Sequence, residues 1–207
     1  MLRIAVLISG GGSNLESIIN RIDDGTLSEI EIVKVISDRQ ALGIEKAKKR
    51  GLDTLILDRK IYKWELSSKI LEVLEGKVDY IVLAGYLSII SQELIDKFKN
   101  KIINIHPSLI PSFCGSGMYG INVHKAAIKK GVKFSGCTVH FVNEEIDGGA
   151  IIKQAVVPVN FEDTAEELQK RVLVEEHKLL SEVLKIISEN RLEVVNGISN
   201  ILGGKEW

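Results

Sequence analysis

Short, almost wholly apolar runs alternate regularly along this chain with segments of helical periodicity, and few folds accommodate that pattern. Residues 2–8, "LRIAVLI", are rich in β-branched residues and nearly free of polar ones, as a strand covered on both faces must be. Residues 14–25, "NLESIINRIDDG", set Leu15, Ile18, Ile19 and Ile22 on one helical stripe and stop at Gly25. The alternation continues with a strand over 29–37 ("EIEIVKVIS"), a helix over 41–51 ("ALGIEKAKKRG") and a short strand in "DTLILD" (53–58). A helix over 63–76, a buried strand over 79–85 ("DYIVLAG"), a helix near 91–98 and a strand over 101–105 ("KIINI") follow. Strand–helix–strand units of this length predict an α/β fold, a Rossmann-like open, mostly parallel twisted sheet with right-handed crossovers and helices on both faces. Beyond residue 130 the strands lengthen: 133–143 and 150–159 flank "EEIDGG" and predict an antiparallel C-terminal extension. Residues 164–190 predict a long closing helix.

No repeat, low-complexity run or Pro/Ser-rich linker divides the 207 residues, so a single domain spanning 1–207 is expected. Lys and Arg number 27 against 28 Asp and Glu, a balance that gives no support to nucleic-acid binding. Cys114 and Cys137 fit neither a metal spacing nor a disulfide framework. No run reaches membrane-spanning length, and the N-terminus lacks a small-residue cleavage site. A cytoplasmic protein, without nucleic-acid or membrane partners, is the expectation.

In open parallel sheets ligands gather at the carboxyl ends of strands. "SGGGSN" follows the first strand, "AGYLSII" the fourth and "NIHPSLIP" the fifth. Three consecutive glycines, Gly10, Gly11 and Gly12, let backbone approach an anion held by the amides of the following helix. The run lacks the third glycine of the dinucleotide fingerprint and is not followed by Gly-Lys-Ser/Thr, so a monophosphate ester suits it better than a pyrophosphate. A second reading is purely structural: Ser13 as N-cap with Glu16 closing a capping box.

Asn104 and His106 stand two apart at a strand end, which sends both side chains off the same face, and Pro107 stops the strand beyond them. An amide that donates to a developing oxyanion, beside an imidazole that moves a proton, suits attack by a substrate's own amine, hydroxyl or water on a carbonyl. A turn in which Asn104 caps and His106 packs on proline remains the plain alternative. Asp147, before Gly148-Gly149, would favour the charged form of a nearby imidazole if it reached His106. Equally, Asp-Gly makes a hairpin turn on its own.

Taken together, "VLISGGGSNL", "DYIVLAGYLSII", "NIHPSLIPSF", "GCTVHFVNEEIDGGAIIKQAVVPV" and "RVLVEEHKLL" closely resemble the phosphoribosylglycinamide formyltransferase family, over nearly the whole chain and in the same order. That resemblance implies the formyltransferase fold and transfer of a formyl group from the co-substrate 10-formyltetrahydrofolate to the amine of glycinamide ribonucleotide (GAR) in purine biosynthesis. It further implies a tetrahedral intermediate and no metal. Asn104, His106 and Asp147 match the family's catalytic residues. Gly11, Gly12, Ser13 and Asn14 match its phosphate loop, and Glu176 in "VEEH" the carboxylate that contacts the nucleotide. Leu87, Ser88, Ile89 and Ile90, with Lys63 and Asn104, match folate-binding positions. A phosphate-binding half over about 1–105 and a folate-binding, catalytic half over about 106–190 are then expected, in a monomer or homodimer whose partners are these two small molecules.

The chain departs from the family at Ser88, where an arginine is usual, and in a longer segment, "CGSGMYGINVHKAA" (114–127), expected to form a flexible loop. His124 in that segment and His140 in "TVHF" also match family histidines. Methionyl-tRNA formyltransferase would bring a C-terminal RNA-binding domain, and formyltetrahydrofolate deformylase an N-terminal regulatory one. The chain's length and start weigh against both. A dinucleotide-binding module with Asp38 on a ribose would leave Asn104, His106 and Asp147 without a role.

Overall fold

The computed structural model describes residues 1–203 and divides into two compact units, Met1–Asn104 and the part from Ile105 onward. In the first unit the elements are β1 (Leu2–Ile8), α1 (Ser13–Asp23), β2 (Ile30–Ser37), α2 (Leu42–Lys49), β3 (Thr54–Ile56), α3 (Arg59–Tyr62), a 3₁₀ turn (Lys63–Glu65), α4 (Leu66–Leu74), β4 (Tyr80–Leu83), α5 (Gln92–Lys97) and most of β5 (Ile102–His106). The strands pair in parallel in the order β3-β2-β1-β4-β5. Ile4, Ala5, Val6, Leu7 and Ile8 are all 0% exposed, as a central strand requires. The chain runs one way from β1 to β3 and the other way from β4 to β5. Right-handed crossovers then place α1 and α2 on one sheet face and α4 and α5 on the other. The strand order reverses between β1 and β4, so the loops after these two strands flank the switch point where such sheets bind ligands.

The second unit holds α6 (Ile121–Lys130), β6 (Phe134–Phe141), β7 (Ile151–Pro158), α7 (Ala165–Ser188) and a hairpin of β8 (Leu192–Val195) and β9 (Ile198–Ile201). β6 and β7 pair antiparallel, as expected, with a shift of register at Val139/His140. α7 packs on both strands and on α6, and its Leu168, Val172, Val183 and Leu184 are buried, as are Cys137 and Val139 of β6. Its start is fixed by a capping box in which Thr164 and Glu167 satisfy each other's backbone amides.

Several sequence expectations need correction. The helix expected over 63–76 begins as a 3₁₀ turn and becomes α-helical only at Leu66, after the short helix α3. The segment expected to be a loop over 114–127 is helical from Ile121, with Val123, His124 and Ala127 buried on one side. The chain also continues past the long helix into β8 and β9, joined by Asn196-Gly197, both at positive φ. Among the described residues, no helix is long and apolar enough to cross a membrane.

Candidate active site

The glycine turn after β1 is a helix start without a side-chain cap. Gly12, at φ 71°, is the N-cap residue of α1 and has no side chain to accept from the helix's first amides. Ser13 is the first helical residue rather than the cap, which corrects the capping-box reading and leaves those amides directed at the turn. The turn is packed from beside it: a Cβ on Gly12 would lie 2.8 Å from Gly43 Cα, and Gly43 donates its N–H to the Gly10 carbonyl at 3.0 Å. Gly43 therefore shapes the turn, a role the sequence reading missed. Its only signal was a glycine inside a helical pattern, which propensity disfavours.

The loop after β4 leans on the same turn. Ser9 donates its N–H to the Gly85 carbonyl, and its hydroxyl accepts from the Leu87 N–H at 2.8 Å. A cavity of about 410 Å³ opens beside this loop, lined by Arg59, Lys63, Trp64, Leu66, Ser67, Leu87, Ser88, Ile89 and Ser91. The structure thus brings Lys63 together with Leu87, Ser88 and Ile89. Ile90 is buried instead and does not line the cavity, since its side chain anchors the loop to the core. Asp38 does not face outward as a ribose ligand would: it is 0% exposed, and its carboxylate is held by Arg39 and Ser88.

At the end of β5, Asn104 is partly exposed and His106 buried, two residues apart on one strand face. His106 Nε2 donates to the Phe113 carbonyl at 3.0 Å. The segment between them is held by Thr138 of β6, whose hydroxyl donates to the Ser108 carbonyl and accepts from the Ile110 N–H, and by Gln154 of β7, which donates to the Ile110 carbonyl and to Thr138. The ring is thereby set by two strands that no motif connects with it.

Asp147 does reach the histidine. Its Oδ2 lies 3.5 Å from His106 Nδ1 and accepts the Gly115 N–H at 2.9 Å, while Oδ1 lies 3.8 Å from His140 Nε2. The turn that delivers it needs the glycines: Asp147 sits at φ 58°, and a Cβ on Gly149 would come within 1.8 Å of the Phe141 carbonyl. Burial lowers the pKa of His140, outweighing its backbone hydrogen bond and Asp147. His124, 1% exposed on α6, is pushed down to about 4 by burial and by nearby His106. Glu176 is buried in α7, and its charge adds to burial in pushing the Cys137 thiol up. Among the described residues, no group of three or more His, Cys, Asp or Glu side chains is arranged to hold a metal ion.

The family model described as formyl transferase matches residues 2–184, and the chain belongs to that family. It is 44% identical over 197 residues to the chloroplastic phosphoribosylglycinamide formyltransferase of Arabidopsis thaliana, covering 92% of this chain and 67% of that protein. To the phosphoribosylglycinamide formyltransferase of Haemophilus influenzae it is 39% identical over 207 residues, covering 98% of this chain and 95% of the relative. In longer relatives the match is one part of a larger protein: the chain spans 19% of the trifunctional purine biosynthetic protein adenosine-3 of Gallus gallus. The crystal structure of glycinamide ribonucleotide transformylase 1 from Symbiobacterium toebii shares the fold with a TM-score of 0.91 at 40% identity, covering 98% of this chain and 94% of that one. The mostly parallel sheet with an antiparallel extension is thus the formyltransferase fold.

Proposed function

We propose that the chain transfers the formyl group of 10-formyltetrahydrofolate to the amine of GAR, giving formyl-GAR. The observation that carries this reading is the approach of Asp147 to His106, one strand residue beyond Ile105 and two beyond Asn104, in a chain of the formyl transferase family. The amine nitrogen attacks the formyl carbon, and the carbonyl oxygen becomes an oxyanion to which the Asn104 amide donates. As the carbon–N10 bond breaks, the amine loses a proton and N10 gains one. His106 carries that proton, and Asp147 opposes the positive charge on the ring. Gly11, Gly12, Ser13 and Asn14 hold the ribonucleotide phosphate on the amides of α1, and Glu176 contacts the nucleotide. The apolar cavity beside Leu87, Ser88 and Ile89 takes the folate, with Lys63 near its anionic end.

The test is to replace Asn104 or His106 by alanine and follow formylation of GAR, with circular dichroism confirming the fold. Both variants should lose nearly all activity; full activity in both would sink the assignment. Release of formate without GAR would instead identify water as the acceptor.

A further inference from the structure

A fully buried carboxylate lies beneath the cavity of the first unit, and the roles assigned above do not use it. Asp38 follows the last residue of β2 and is 0% exposed. Its Oδ1 accepts from Arg39 Nε at 2.8 Å, and its Oδ2 accepts from Arg39 Nη2 at 2.8 Å and from Ser88 Oγ at 2.5 Å. Its main-chain carbonyl accepts the N–H of Arg59 at 2.9 Å. Arg59 and Ser88 both line the cavity, so one residue holds two of its wall segments. A second clasp, from the Ser91 N–H to Ser67 Oγ at 3.0 Å, joins two further lining residues.

A charge so deeply buried is tolerated only when paired and fully hydrogen-bonded, and the planar fork of Arg39 supplies that pairing in two parallel bonds. Burial by itself would raise the carboxyl's pKa. The hydrogen bonds from Arg39, Ser88 and Ser9 hold it below the ordinary value instead. The carboxylate therefore stays an acceptor at neutral pH, and Ser88, whose hydroxyl donates to it, is fixed in one orientation. The loop from Leu87 to Ser91 is thereby fastened at Leu87 by Ser9, at Ser88 by Asp38 and at Ser91 by Ser67.

We propose that Asp38 is a positioning residue for the folate subsite, holding Ser88 and Arg59 so that the cavity is formed before its ligand arrives. The inference rests on the reading of that cavity as the folate pocket. It acts on one substrate only: a preformed wall lowers the ordering cost of binding the folate and leaves GAR untouched.

The experiment measures steady-state constants for both substrates in wild type, Asp38→Asn, Ser88→Ala and the double variant, with thermal unfolding of each. Asp38→Asn keeps the volume but faces Arg39 with an amide nitrogen and breaks the fork. The KM for 10-formyltetrahydrofolate should rise about tenfold, the size of effect expected for a lost hydrogen bond to a charged group. The KM for GAR and kcat should stay within about twofold. Ser88→Ala, a milder change, should raise the folate KM about threefold and add little to Asp38→Asn, because both act through one contact. Equal rises in both KM values, a loss confined to kcat, full additivity, or a lowered melting temperature with unchanged folate KM would each overturn the proposal. If wild type transfers no formyl group from 10-formyltetrahydrofolate, the functional reading falls and this inference with it. If wild type transfers normally and Asp38→Asn leaves the folate KM unchanged, this inference alone falls.

Discussion

Replacing Asp147 by Asn removes one charge and little else. Asparagine tolerates the positive φ of 58° at this position, and its Oδ1 can still accept the Gly115 N–H that now bonds the carboxylate. What disappears is the negative charge 3.5 Å from His106 Nδ1. For a full imidazolium, that separation at an effective dielectric of about 20 corresponds to about 5 kcal/mol. A transition state in which the proton is partly transferred carries only part of it, so kcat should fall by about 10² to 10³. Initial rates of GAR formylation at saturating concentrations of both substrates read this directly, and both KM values should change little, since the charge acts while the proton moves. The cycle with His106→Asn is the sharper test. Without the imidazole, Asp147→Asn should cost almost nothing more. A single-variant loss below about tenfold, or full additivity with His106→Asn, would refute the electrostatic argument and leave Asp147 a turn residue.

Three further outcomes are expected. Gly43→Ala brings a methyl within 2.5 Å of Ile8 Cδ1 and 3.0 Å of Gly12 Cα, so it should displace the glycine turn, cost about 1–3 kcal/mol in urea unfolding and weaken GAR binding selectively in calorimetric titration. His124 has a buried Nδ1 with no partner among the described residues and is pushed down to about 4, against 6.5 in an unfolded chain. Between those pH values the unfolded chain binds a proton that the folded chain does not, so stability should fall by about 3 kcal/mol as the pH drops through that window. Urea midpoints of His124→Leu at a series of pH values should lack that slope; an identical slope in the variant would refute the assignment. Thr164→Ala removes the cap of α7 and should lower unfolding free energy by about 1 kcal/mol at neutral pH, measured by denaturant titration.

The parallel unit was legible because its central strands, β1 and β4, are almost wholly buried on both faces. Apolar runs such as "LRIAVLI" admit few other interpretations, and their order along the chain placed three loops at a ligand-binding edge. Residues 2–8 and 164–190 were marked closely for the same reason, by long unambiguous periodicity. Legibility failed where structure depends on partners distant in sequence. "INVHKAAIKK" carries a helical stripe, but its glycine-rich approach masked it, and the face it buries packs on α7, distant in sequence. The Asn196-Gly197 signal for the last hairpin was present in the sequence and passed unread. At the site, the spacing of Asn104 and His106 was readable as a shared strand face. The reach of Asp147 was not, because it depends on Gly149 closing against β6 and on Thr138 and Gln154 setting the loop after β5. Lys63 could be tied to Leu87–Ile89 only by resemblance until α3 and the 3₁₀ turn folded it beside them.

The bond from His106 Nε2 to the Phe113 carbonyl has a consequence for any molecule that uses this ring. A peptide carbonyl and a formyl oxygen are the same kind of acceptor, so a ligand arriving at Nε2 trades one for the other and the buried N–H is never stranded. The protein's own backbone behaves as a tethered competitor, whose strength is set by how readily the turn at Phe113, held at φ 52°, lets go. Affinity at this nitrogen is therefore a difference between two nearly equal hydrogen bonds, about 1 kcal/mol each, rather than the full value of either. Selectivity among carbonyl compounds must come from the groups around the ring, since the exchange at the ring itself is close to neutral.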